Sequence, residues 1–301
     1  MDDIATKCGY VTLIGAPNAG KSTLLNQLVG AKIAIVSPKV QTTRARVTAI
    51  AIEDNSQIIF VDTPGIFAPS RRLETAMVNA AWEGANDTDV LALLIDANKG
   101  ISKDVERIIS NLEKSGKKAH LILNKIDMIK REKLLGLAKE LTDRGIFREV
   151  FMISALNGDG VADLRKYLAE ELPEGPWLYP EDQLAIAPMR YLAAEITREK
   201  LFLRLNQELP YSLTVETEKW EERPDGSVKI DQVIFVSRAN HKPIVLGKGG
   251  QTIKQIGAMA REELEETLGC RVHLFLFVKV REKWLDDPER YQEMGLDFPK
   301  S

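Results

Sequence analysis

Cysteine is scarce in this chain: 301 residues contain 2, Cys8 and Cys270. Far apart in sequence, they form no metal-ligand spacing and are too few for a disulfide framework. A reducing cytosol is therefore the expected setting. Long apolar runs are missing as well. The longest, Val90 to Ile95, has the length of a strand, against the roughly 20 residues that a membrane span needs. The start, Met1-Asp2-Asp3, is acidic and leads into no signal-peptide core. Charge of one sign is also lacking. With a net charge of −3, no global basic field advertises a nucleic-acid partner, so any RNA site has to be a local patch. There is no internal repeat and no low-complexity tract.

What is present is ordinary for a globular protein: 44% hydrophobic and 28% charged residues. The length predicts roughly two domains, each able to bury its own core. In the first half, short apolar runs alternate with amphipathic stretches. Val11–Ile14, Val47–Ile52, Ile58–Val61, Val90–Asp96, His120–Leu123 and Val150–Ile153 read as strands; 21–29, 71–86, 103–114, 131–143 and 161–171 read as helices. Several strands are apolar almost throughout, which predicts an α/β domain with a mostly parallel sheet covered by helices on both faces. Ligands of such sheets sit at the carboxyl ends of the strands.

Motifs fall at those ends. Gly15-Ala16-Pro17-Asn18-Ala19-Gly20-Lys21-Ser22 fits GxxxxGK[ST] between a strand and a helix, the context of a phosphate-binding P-loop. Its N–H groups and the helix N-terminus would face the phosphates. Lys21 would reach the outer phosphates and Ser22 would ligate Mg²⁺, with Thr23 beside it in the nucleotide-binding set. Asp62-Thr63-Pro64-Gly65 ends the next strand but one; Asp62 can hold Mg²⁺ through water, and Gly65 can offer its N–H to a γ-phosphate. Asn124-Lys125-Ile126-Asp127 follows a further strand. Asp127 can accept from both N1–H and the 2-amino group of guanine, whereas adenine would leave it without partners. Asn124 bonds the other edge of the base or braces the P-loop, and the Lys125 stem covers a ring face. Ser154-Ala155-Leu156 would put a backbone N–H at the guanine O6. Gln41-Thr42-Thr43-Arg44 lies where a mobile loop would bring a threonine to Mg²⁺ and the γ-phosphate, Thr43 in preference to Thr42.

The grammar changes after Leu172-Pro173-Glu174-Gly175-Pro176. Domain one is expected over 1–172, a linker over 173–182, an α+β domain over 183–282 and a tail over 283–301. The second domain reads as a helix over about 183–207, strands at Tyr211–Trp220 and Ser227–Arg238, and a short apolar segment at Pro243–Leu246. Gly247-Lys248-Gly249-Gly250 follows, then a helix with Ile253, Ile256, Ala260, Leu264 and Leu268 on one face, and a last strand at Arg271–Val280. The glycine loop satisfies GxxG, where a side-chain-poor loop admits a phosphodiester backbone. His241, Lys242, Lys248 and Lys254 add local positive charge for RNA. Glu262, Glu263, Glu265 and Glu266 read as a solvated face.

The first set of motifs resembles the translation-factor-like P-loop GTPases over residues 8 to 170. The residue after DTPG is Ile66, whereas Ras-like enzymes carry a water-orienting glutamine there; Ile66 offers no donor or acceptor. This resembles the branch with a hydrophobic residue at that position, whose members hydrolyse GTP slowly unless something completes the site. In some of them K⁺, ligated by a P-loop asparagine, supplies charge; Asn18 matches that asparagine, or else braces the loop. The resemblance thus gives Lys21, Thr43, Gly65 and Asn18 catalytic roles. The second domain is similar in element order to the type II KH fold. Both domains in this order, with Lys283-Trp284-Leu285-Asp286-Asp287 and Leu296 in the tail, resemble the Era family of bacterial-type GTPases. That resemblance implies a monomeric GTP/GDP switch that binds small-subunit ribosomal RNA near its 3′ end and acts in assembly of the small subunit. It also implies a cytoplasmic protein with a peripheral fraction at the inner membrane surface. The competing expectation is an RNA-binding assembly chaperone whose nucleotide is mainly structural.

Overall fold

Six segments of the first half pair into one sheet in the computed structural model, which describes residues 5–37, 39, 42–181, 183, 189–206, 209–282 and 284–299. They are β1 (Lys7–Gly15), β2 (Val47–Glu53), β3 (Ser56–Asp62), β4 (Val90–Asp96), β5 (Ala119–Asn124) and β6 (Phe147–Ile153). Their order is β2-β3-β1-β4-β5-β6. Only β2 and β3 run antiparallel; the other neighbours are parallel. Every expected strand is present, most of them longer by a few residues, because hydrogen-bonded pairing continues past the apolar stretch that sequence can mark.

Helices α1 (Lys21–Val29), α2 (Arg72–Asn86), α3 (Lys103–Ser115), α4 (Arg131–Thr142) and α5 (Val161–Glu170) connect the strands. Two cores result, as a sheet covered on both faces requires. One gathers Leu24, Leu28, Phe60, Leu94, Leu164 and Leu168. The other gathers Ile14, Leu93, Ile95, Ile108, Leu112 and Leu123, and it includes Ile66. The strand β4, buried at every position, feeds both by alternation of its side chains.

The chain divides into two compact units, residues 1–34, 43–186 and 294–301 in the first and 35–42 and 187–293 in the second. The proline-rich stretch after α5 packs on the first unit. Gly175 N–H donates to the Thr6 carbonyl at 2.9 Å, and the Gln57 carboxamide oxygen accepts from Leu178 and Tyr179 N–H at 2.9 and 3.0 Å. Buried Gln57 thus clasps a segment that sequence reads as linker.

In the second unit, β7 (Leu213–Glu222), β8 (Val228–Val236) and β9 (Val272–Val280) form a sheet in that order. The pair β7–β8 is antiparallel and β8–β9 parallel. Helices α6 (Met189–Arg204), α7 (His241–Leu246) and α8 (Gln251–Leu268) supply the rest of the core, with Leu201, Val245, Ile256, Ile234 and Val278 in contact. The helix expected over 183–207 is shorter. Gln183 is not helical, 184–188 and 207 lie outside the described residues, and Leu205 and Asn206 follow the last turn. Tyr211 and Ser212 belong to a 3-10 turn, Leu209–Ser212, not to the strand. Pro243–Leu246 is helical; Pro243 sits in the first turn of α7, where its missing N–H costs nothing.

One further expectation changes. Of the four glutamates on α8, Glu262 and Glu266 are exposed, but Glu263 pairs with Lys200 and Glu265 accepts the Val272 N–H at 3.0 Å. The periodicity that marks a polar face cannot show which of its carboxylates find partners. On α6 a charged run, Arg198, Glu199 and Lys200, is buried. Glu195 pairs with Arg198, Glu199 accepts the Val36 N–H at 2.7 Å, and Lys200 joins Glu199 at 2.9 Å. In the tail, Trp284 and Tyr291 are buried, and the indole N–H of Trp284 donates to the Ser212 carbonyl at 3.3 Å. Lys283 lies outside the described residues.

Candidate functional site

The carboxyl ends of β1, β3, β4, β5 and β6 carry the first site. After Gly15 the loop turns through Asn18 (φ 62°) and Gly20 (φ 103°) before α1 begins at Lys21. A Cβ on Gly20 would lie 2.3 Å from the Asn124 amide nitrogen, so both conformation and space demand glycine there. Lys21 is buried, and its ammonium donates to the carbonyls of Gly15 and Ala16 at 3.1 and 3.4 Å. Burial pushes its pKa down, and the charge of Asp62 acts against that. A desolvated ammonium held by loop carbonyls is suited to exchange them for phosphate oxygens.

Beside it the expected metal set is assembled. The Ser22 hydroxyl donates to Asp62 Oδ2 at 2.8 Å and lies 2.8 Å from the Thr43 hydroxyl, which itself lies 3.2 Å from the same carboxylate oxygen. Burial pushes the Asp62 carboxyl upward, while Lys21, Ser22 and Thr43 pull it back. Its other oxygen, Oδ1, is buried with no hydrogen-bond partner among the described residues. Of the two candidate threonines, Thr43 is the one at this cluster. Thr42 directs its hydroxyl to the Lys39 carbonyl at 2.7 Å and to Ser37 at 2.8 Å. Gln41 lies outside the described residues.

Asn124 is the junction of the site. Its Nδ2 donates to the Ala19 carbonyl at 2.8 Å, and its Oδ1 accepts from Lys125 N–H at 2.8 Å and from Ala155 N–H at 2.9 Å. Of the two alternatives for Asn124, the structure shows bracing: it joins the P-loop, the Asn124–Asp127 loop and the Ser154–Leu156 loop. Ser154 N–H goes to the Asp159 carbonyl. In the Ser154–Leu156 triplet only Leu156, 74% exposed, keeps a backbone N–H with no partner among the described residues. Asp127 stands in a 3-10 turn, Ile126–Met128, with an exposed side chain. Lys125 reaches Asn18 O at 2.8 Å and Asp96 Oδ2 at 2.7 Å. Sequence motifs missed Asp96; its one signal is a carboxylate closing an apolar strand at the ligand-bearing edge. Ile66, expected to be inert toward water, is fully buried, and its N–H donates to the Gly15 carbonyl at 3.0 Å.

In the second unit the glycine loop stands between α7 and α8. Gly247 has φ 74°, and a Cβ there would lie 2.1 Å from the Thr252 hydroxyl oxygen. Gly249 and Gly250 are also left-handed. Lys242, Lys248 and Lys254 are exposed around the loop. His241 is half-buried; desolvation first and then Arg238 push its pKa down, which disfavours its charged form.

Comparison with known proteins finds relatives of both units. A family described as 50S ribosome-binding GTPase matches residues 10–125, and the KH domain family matches residues 208–285. GTPase Era of Bradyrhizobium diazoefficiens is 61% identical over 296 residues, 98% of this chain and 96% of that protein. GTPase Era of Sinorhizobium medicae is 62% identical over 297 residues, 99% and 96% of the two chains. Two crystal structures superpose with a TM-score of 0.91 over 96% of this chain and 99% of theirs. One is an Aquifex aeolicus Era variant bound to GDP·AlF₄⁻, 40% identical; the other is Era with MgGDPNP and nucleotides 1506–1542 of 16S ribosomal RNA, 41% identical. By sequence along its whole length and by fold in both units, the chain belongs to the Era family of GTPases, a P-loop GTPase domain followed by a KH domain.

Proposed function

We propose that this GTPase works as a switch: it binds and hydrolyses GTP at the first site, binds small-subunit ribosomal RNA near its 3′ end at the glycine loop, and acts in assembly of the small subunit. The observation that carries the reading is the Asn124 hub. It holds the phosphate loop and the guanine loops in one hydrogen-bonded frame, so that one ligand spanning both can be sensed by both. Residues Gly15 to Thr23 cradle the phosphates, Lys21 neutralises the outer ones, and Gly65 offers its N–H to the γ-phosphate. Asp127 selects guanine, Lys125 covers the ring, and the free N–H of Leu156 is the donor for O6.

Ser22, Thr43 and Asp62 form an all-oxygen set with a buried, orphaned carboxylate oxygen, which fits Mg²⁺. Bound there, the ion neutralises charge on the β- and γ-phosphates. In the same reading Asn18 would hold K⁺, which would supply further positive charge. Attack by water is left without help from Ile66, so stabilisation of charge by Lys21, Gly65 and the cations carries the rate. Lys242, Lys248 and Lys254 hold RNA phosphates, with Gly247, Gly249 and Gly250 letting the backbone approach. A monomer in the cytoplasm, with a peripheral fraction at the inner membrane surface, completes the proposal; its support is the family resemblance.

The burial of Ile66 favours a second reading, an RNA-binding assembly chaperone whose nucleotide is mainly structural. Titrating a 3′ fragment of 16S ribosomal RNA with no nucleotide, with GDP and with a non-hydrolysable GTP analogue decides between them. A switch shows roughly 5–150-fold different RNA affinities, the usual allosteric range, and the same factor in nucleotide affinity when RNA is present. Equal affinities in all three states leave the chaperone reading standing.

A further inference from the structure

Asp96 is the last residue of β4 and sits opposite Asn124 of β5 in the sheet. Both of its carboxylate oxygens are used. Oδ1 accepts from Asn98 and Lys99 N–H at 3.1 and 3.3 Å, which fixes the turn after the strand. Oδ2 accepts from the Lys125 ammonium at 2.7 Å, in a pair whose side chains are 9% and 30% exposed. The ammonium goes on to the Asn18 carbonyl at 2.8 Å. At its other end Lys125 is left-handed, with φ 66°, a conformation that is unfavourable for a residue with a Cβ. Lys125 is therefore fixed at backbone and tip, and its stem has to run from the base loop to the phosphate loop.

We propose that Asp96 is a positioning residue for guanine-nucleotide binding. By pinning the Lys125 ammonium it holds the lysine stem as a wall of the base pocket and ties that wall to the P-loop at Asn18. The proposal rests on the reading that the Asn124–Asp127 loop receives guanine. The competing role for Asp96 is to cap the turn at 97–99 and nothing more. Asn at this position keeps a carbonyl oxygen for that cap and removes the negative charge that holds the lysine, so Asp96→Asn separates the two roles.

Affinity for GDP and for a non-hydrolysable GTP analogue should be measured by calorimetry on the full chain for the native protein, Asp96→Asn, Lys125→Met and the double variant. Asp96→Asn weakens both nucleotides to the same degree, by about tenfold, as expected for loss of a hydrogen bond between charged groups. The double variant binds no more weakly than Lys125→Met, because the carboxylate acts only through the lysine. Native affinity in Asp96→Asn, or losses that multiply in the double variant, overturns the proposal. Should Asp96→Asn fail to fold by circular dichroism, Asp96→Ser, whose hydroxyl still caps the turn, takes its place with the same outcomes. Asp127→Asn, run in parallel, isolates the underlying reading. If its base preference stays native the guanine pocket itself is lost; if it shifts while the Asp96 and Lys125 effects multiply, only the Asp96 assignment falls.

Discussion

The Asn124 side chain and the Ala19 carbonyl, 2.8 Å apart, join the Asn124–Asp127 loop to the Gly15–Ser22 loop. Asn124→Ala removes that bond and leaves the Lys125 and Ala155 N–H groups without their acceptor. With Asn124 2% exposed, the loss of stability should be about 2–4 kcal/mol, since unsatisfied buried groups cost about 1–3 kcal/mol each and water recovers part. Urea denaturation of the ligand-free protein measures it. A change under half a kcal/mol would show that the loops hold together without the hub.

Base choice should rest on Asp127. Asn in its place turns an acceptor into a donor, which suits the 2-oxo group of xanthine better than the amine of guanine. Asp127→Asn should lose GTP affinity and gain xanthosine triphosphate affinity in a competition titration. An unchanged preference for GTP removes Asp127 from the base site.

Hydrolysis should be slow and faster in K⁺ than in Na⁺. Ile66 lies in the core with no group to offer a water molecule, so added positive charge is what remains to lower the barrier. The kcat in KCl and NaCl at equal ionic strength should differ for the native chain and converge for Asn18→Ala. Equal native rates in the two salts end the potassium proposal.

Changing Lys248 and Gly249 both to Asp should abolish most RNA binding and spare RNA-free GTP hydrolysis. Gly249 has φ 59° with open space around it, so the added Cβ strains the backbone without a clash, and two carboxylates then face the phosphates. Filter binding with the 16S fragment reads the first effect and phosphate release the second. Native RNA affinity in this double variant moves the RNA site elsewhere.

His120 gives the first unit an acid limit. It is buried beside the rings of Phe151 and Tyr167, and desolvation holds its pKa below the ordinary 6.5 despite Glu171 nearby. The unfolded chain takes up its proton before the folded one does, so this contribution is whole above pH 6.5 and declines as the pH falls below it. Unfolding free energy followed from pH 7.5 to pH 5 should fall less steeply for His120→Gln than for the native protein. Parallel curves would show that another group sets the acid limit.

Local pattern alone determined much of this protein. A run of apolar residues specifies a buried strand, and glycines before Lys21-Ser22 specify a phosphate loop, because both depend on what neighbours in sequence can and cannot do with their own backbone. The order of motifs then sufficed for the family. Tertiary structure decided what depends on groups distant in the chain. It gave Asn124 to bracing, because Ala19 and Ala155 come within reach only when β5 lies beside β4 and β6. It put the hydroxyl of Thr43, already preferred from sequence, beside Ser22 and turned that of Thr42 to the Lys39 carbonyl, though the two residues are identical in type. It made Glu263 and Glu265 partners of Lys200 and Val272, though their spacing matches that of solvated glutamates. Asp96 shows the same limit: its role lies in a lysine 29 positions away along the chain, and a hydrogen bond at that separation exists only once the sheet has closed the distance.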